Sequence, residues 1–251
     1  HLRLPLWRLR TPGASLRALK APAASFWCHS RFYLLIFTFS LILGIFLVVL
    51  IINMISISNN YSIEFMRDTY FYNVVLILKL IVNILIVFIV SISSTNYQES
   101  YQLFIINQRK ERIKFFLTKI LGLFLITCVI ICLFFTLFVA VGLFGSKWFI
   151  IEKRHLLYFI YLSLNSFMYG MFTYCLIKYL NSLIVVIIPC FIVVFQEAFI
   201  DSFVVRYVSY LFPIIINGIE PSLSYGIIHL IILIFCYIGI GLIKSYIMDI
   251  K

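Results

Sequence analysis

A chain of 251 residues that is 64% hydrophobic and only 12% charged carries about half the charge of an ordinary soluble domain. It cannot cover a water-facing surface, so a soluble enzyme, a disordered chain and a disulfide-stapled secreted domain are excluded, which leaves an integral membrane protein. The excess of 20 Lys and Arg over 9 Asp and Glu reports loops held on the cytoplasmic side; no basic face alternates with aromatics, so nucleic acid is not an expected partner.

Residues 1–30 differ from everything after them. They contain five Ala, three Pro and no Ile, whereas residues 31–251 contain 44 Ile and two Ala, Ala140 and Ala198. The segment reads as a leader of separate, artificial origin that takes no part in the fold. A mitochondrial presequence, basic and free of acids, is the competing reading; the abruptness of the switch near Ser30 and Arg31 favours the first.

A membrane-crossing helix needs about 20 apolar residues. Six segments of 31–251 meet that length: 32–57, 70–94, 115–143, 155–179, 182–205 and 223–246. The expected fold is therefore an all-α integral membrane protein of six transmembrane helices. The second span contains Lys79 and Asn83, and the fifth is broken by Pro189. The sixth carries Gly239 and Gly241, where a neighbouring helix can come close. With both termini inside, the inner segments hold nine basic residues and the outer loops five; the positive-inside rule thus predicts N-in, C-in.

Between spans two and three, Tyr97, Tyr101, Phe104 and Ile105 form one stripe of a short amphipathic helix, with Gln98, Glu99 and Gln102 on the remaining surface. The basic residues Arg109, Lys110, Arg112 and Lys114 follow, and Lys119 leads into span three. Such a helix belongs at the cytoplasmic surface, either stabilising the bundle or docking a cytoplasmic partner.

Six spans, an N-in topology and this Glu-containing segment resemble the membrane subunit of an ABC type-2 exporter, a permease. Among such permeases the chain is similar to exporters of phenol-soluble modulins and to bacteriocin-immunity exporters of Gram-positive bacteria. The resemblance covers residues 31–251 and implies that the segment after span two is a coupling helix against an ATPase subunit. Tyr97, Glu99, Tyr101, Gln102 and Phe104 would form it, with Arg109, Lys110 and Arg112 at its end. It also implies a second permease, as homodimer or paralogue, in the plasma membrane, and an outer re-entrant segment before span six. Gln196 to Pro221, with Asp201, Arg206 and Pro213, is long and polar-punctuated enough for that outer gate. Amphipathic peptides or lipid-like molecules would be the cargo.

Chemistry of the chain's own is not expected. No GxxxxGK[ST] phosphate loop is present, so ATP and Mg would be bound by the partner ATPase. No catalytic set or metal-ligand spacing occurs, and Cys128, Cys132, Cys175, Cys190 and Cys236 lie in apolar runs as inert thiols. Glu197 and Asp201 share a helix face that reads as solvated. Lys79 is the one ionisable residue deep in a span. A lone charge there costs at least about 3 kcal/mol, so Lys79 and Asn83, one turn on, are expected to face protein or a substrate pathway. A non-transporting membrane scaffold or sensor is the alternative function.

Overall fold

The computed structural model describes residues 38–57, 62–94, 109–180, 186–198 and 220–247. Helix makes up 94% of them, and none is in a strand. In chain order the helices are α1 (Thr38–Ser56), α2 (Ile63–Ser94), α3 (Arg109–Gly145), α4 (Lys153–Leu180), α5 (Ile187–Ala198) and α6 (Glu220–Ile247). All but α5 are long and apolar enough to cross a membrane.

The chain divides after Gly44 into two units. The described part of the first is the opening of α1, an apolar stretch with Leu41 exposed. The second unit, from Ile45 on, contains the rest of α1 and all the other helices.

Capping and ion pairs lengthen the helices beyond their apolar runs. α2 starts at Ile63 rather than near residue 70, because the Ser62 hydroxyl accepts a hydrogen bond from the Phe65 N–H (3.3 Å) and Glu64 occupies the favourable first turn. At the start of α4, Glu152 is the cap: its carbonyl accepts from the His155 N–H at 3.1 Å. Its own N–H donates to His155 Nδ1, also at 3.1 Å, the return half of a capping box with His in place of Glu.

Contacts along the helices fix their directions. Arg67 pairs with Glu152, the Phe71 and His155 rings lie 4.5 Å apart, Asn83 meets Ser166, and Ile86 abuts Gly170. Residue numbers rise together in all four, so α2 and α4 are parallel. The same holds for α4 and α6, where Tyr161 packs on Gly226, Cys175 reaches the Tyr237 carbonyl and Lys178 donates to Ser245. α3 runs the other way, as Tyr70–Phe138 and Phe116–Tyr174 demonstrate. So does α1 relative to α2, through Asn53 and Asn73.

α4 is the hub, touching α2, α3, α5 and α6. It is also the least apolar of the five long helices, with a mean hydropathy of 1.2 against 2.6 to 3.0 for the others, and the most buried. The two properties belong together: a helix surrounded by helices can keep Asn165, Ser166 and Thr173 inside, whereas one facing lipid has no partner for them. α1 and α6 have the opposite character, with Ile45, Val48, Ile52, Ile232, Phe235 and Ile243 pointing outward.

The expected fifth span, 182–205, is described in part: Ile187–Ala198, 12 residues, is helix, and residues 181–185 and 199–219 lie outside the described residues. Pro189 does not break this helix. Proline lies in its first turn, where no intrahelical donor is required. Pro221 likewise sits in the first turn of α6, which begins at Glu220 and so takes in the end of the segment expected to re-enter.

Candidate functional site

The buried polar groups of the bundle fall into three levels. At the end where α2 and α4 begin, Arg67 pairs with Glu152 and Arg154 with Asp68, while Arg154 Nε lies 2.6 Å from Glu152 Oε2. Burial alone would raise the Glu152 pKa, but Arg67, Arg154 and His155 outweigh it and hold the carboxyl below its ordinary range. Beneath this network sits an aromatic cluster. Tyr70 stacks on Phe138 at 5.2 Å and donates its hydroxyl to the Phe138 carbonyl, and Phe149 folds back onto Phe138 and His155.

At the opposite end, Lys178 donates to Ser245 at 2.7 Å and lies 4.9 Å above the Phe116 ring, a cation–π contact. Phe116 is seated against Gly241, where a Cβ would stand 2.3 Å from its Cζ. The close approach expected at Gly241 is thus present, whereas Gly239 has nothing within 4 Å.

Between these levels lies the seam of α2 and α4. Lys79 is the seventeenth of the 32 residues of α2, so it is mid-helix however the ends are drawn. It is 3% exposed, and Asn83, Asn165 and Ser166 are fully buried. The Ser166 hydroxyl donates to Asn83 Oδ1 at 2.7 Å, and Gly170, one turn further along α4, lets Ile86 press on the backbone. Other buried hydroxyls are satisfied by their own helices: Thr173 by the Tyr169 carbonyl and Thr127 by that of Leu123, both at 2.8 Å, as is usual for these residues. The amides are not. Asn83 Nδ2 and both side-chain polar atoms of Asn165 have no hydrogen-bond partner among the described residues, and each such group costs about 1–3 kcal/mol when left so. Lys79 has an interaction of its own. No Asp or Glu is buried among the described residues.

The structure therefore buries Lys79 and Asn83 on one face of α2 and adds Ser166, bonded to Asn83, with Asn165 buried next to it on α4; the sequence reading passed over both. Asn165-Ser166 is a polar pair in an apolar run, and the argument applied to Lys79 would have found it. Of the expected coupling residues, Tyr97, Glu99, Tyr101, Gln102 and Phe104 lie outside the described residues. Arg109, Lys110 and Arg112 lie in the first turns of α3. The gate residues Asp201, Arg206 and Pro213, and the side chain of Glu197, also lie outside the description. The described cysteines are free thiols, and among the described residues no group of His, Cys, Asp and Glu is arranged to hold a metal.

No protein-family model, no curated protein and no solved structure matches the chain.

Proposed function

We propose that the chain is the membrane permease subunit of an ATP-driven exporter of the ABC type-2 kind, carrying amphipathic peptides or lipid-like molecules across the plasma membrane. The observation that carries this reading is the parallel pair α4 and α6. Leu180 and Ile247 finish at one end of the bundle while Lys153 and Glu220 start at the other, so the 39 residues of 181–219 must carry the chain back across. α5 is part of that return. A crossing there restores six, with both termini and the α2–α3 connection on the side of Lys114, Lys119, Lys178 and Lys244, which the positive-inside rule makes cytoplasmic. The connection is then placed to meet an ATPase. A buried cation at mid-membrane marks a pathway more often than a scaffold, which favours transport over the alternative of a passive scaffold or sensor.

In this mechanism two permeases and two ATPase subunits work together. ATP binding closes the ATPase pair, the segment 96–108 moves with it, and spans one, two and five shift against those of the second permease. ATP drives the cycle by binding the closed form more tightly than the open one. The segment from Gln196 to Pro221 closes the exit between cycles, with Asp201, Arg206 and Pro213 shaping it. The test is the double substitution Glu99→Ala with Tyr101→Ala. Membrane insertion should be unchanged, while co-purification of the ATPase or its stimulation by substrate is lost; unaltered co-purification and export would overturn the docking role.

A further inference from the structure

We infer that His155 is an acid-sensitive latch for the end of the bundle at which α2 and α4 begin: a proton on its imidazole releases the cap of α4 and loosens the hold of α4 on α2 and α3. The latch belongs to the packing of the chain and does not depend on transport. The His155 ring is fully buried and meets three parts of the fold. Phe71 of α2 lies at 4.5 Å, Phe138 of α3 at 5.7 Å, and Phe149 of the α3–α4 connection stacks nearly parallel to it at 6.1 Å. Phe149 is seated in turn on Gly142, where a Cβ would stand 2.6 Å from its Cδ1.

Nδ1 accepts from the Glu152 N–H, so it carries no hydrogen, and the neutral ring has its one N–H at Nε2. That nitrogen is buried with no hydrogen-bond partner among the described residues. An imidazolium has an N–H at both positions. At Nδ1 it would face the Glu152 N–H, donor against donor, so the cap and the proton exclude one another. The ionisable neighbours are Arg67 and Asp68 of α2, and Glu152 and Arg154 at the start of α4. Tyr70 and Tyr158, near the same rings, ordinarily titrate near pH 10; α3 and the connection present Phe138 and Phe149. The two carboxylates favour an imidazolium, but Arg67 engages Glu152 and Arg154 engages both acids, and the arginine charges oppose it. The same arginines hold the Glu152 carboxyl below its ordinary range, so Glu152 keeps its charge where a histidine titrates. Glu152 supplies both the cap and the ion pair to Arg67, which is how losing the first slackens the second. A freed imidazole titrates near pH 6.5, whereas the capped one takes no proton at Nδ1. The closed end is therefore held in full above that pH and weakens as pH falls below it. From about pH 7.5 to about pH 5.5 the opening equilibrium rises about tenfold.

Hydrogen–deuterium exchange of the full chain in nanodiscs, corrected for the intrinsic pH dependence of amide exchange, reads the latch directly. Between the same two pH values, protection of residues 149–158 should fall about tenfold, while residues 165–175 of the same helix keep theirs. His155→Gln retains the acceptor that a capping box uses at this position and cannot titrate, so the fall should vanish there. His229→Gln should retain it. Unchanged protection of 149–158 in the unaltered chain overturns the latch, and that comparison needs no variant to fold. A fall spread evenly along α4 also overturns it, since that is general acid unfolding. An equal fall in His155→Gln does the same and assigns the response to the carboxylates.

Discussion

Single atoms decide the packing at several crossings. Phe116 can lie flat against α6 only because residue 241 has no side chain, and that seat holds the ring under the Lys178 ammonium. A methyl at 241 meets aromatic carbon, in a core without slack, so Gly241→Ala should destabilise the bundle by about 1–3 kcal/mol. Gly239→Ala, on the open side of the same helix, should stay within about 0.5 kcal/mol of the parent. Thermal unfolding in one detergent compares the two; equal effects would mean that α3 and α6 do not meet at Phe116. Composition marks both glycines alike, and only the partner helix tells them apart. The polar residues of the seam follow the same logic. Lys79 stands out in the sequence because a charge in an apolar run is costly wherever it points. Ser166 acquires its meaning from Asn83 across the seam, a contact 83 residues away.

Hydropathy finds the elements well and their ends poorly, for a physical reason. An apolar run measures the part of a helix in hydrocarbon, while the helix itself continues until its last N–H or C=O finds another partner. Ser62 therefore extends α2, the Glu152–His155 cap fixes the start of α4, and the basic run Arg109 to Lys114 becomes the opening of α3. The segment expected as span five has sufficient apolar length, and Ile187–Ala198 within it is helix; periodicity carries no signal that would distinguish one crossing helix from a helix with a bent return. Direction supplies what length does not. With α4 and α6 parallel, the proposed sixth crossing would put residues 181 and 217 on opposite sides of the membrane. Single cysteines at Asn181 and Asn217, in a chain freed of its native cysteines, should label from the cytoplasmic and the outer side respectively when an impermeant thiol reagent is applied. Labelling of both from one side would contradict the sixth crossing.

The whole molecule separates its chemistry by depth. The end with Arg67, Asp68, Glu152 and Arg154 carries paired charges over an aromatic layer to which α2, α3 and α4 all contribute. The other end keeps its lysines against rings and hydroxyls, leaving a basic surface where the α2–α3 connection emerges. Between them the polar seam is the one level of the described bundle at which buried amides lack partners on both α2 and α4, and α1 and α6 present apolar faces to their surroundings. A bundle locked at one end and polar in the middle is suited to rock open at the other, which is the motion an ATPase beneath it would drive. The decisive measurement is uptake of a fluorescent amphipathic peptide into proteoliposomes holding this chain together with an ABC ATPase that co-purifies with it, with the ATPase domains facing outward. The account predicts accumulation inside the vesicles that requires ATP hydrolysis and falls to background with a non-hydrolysable analogue. Equal uptake with either nucleotide, or ATP-driven uptake of hydrophilic solutes but not of amphipathic peptides, would contradict it.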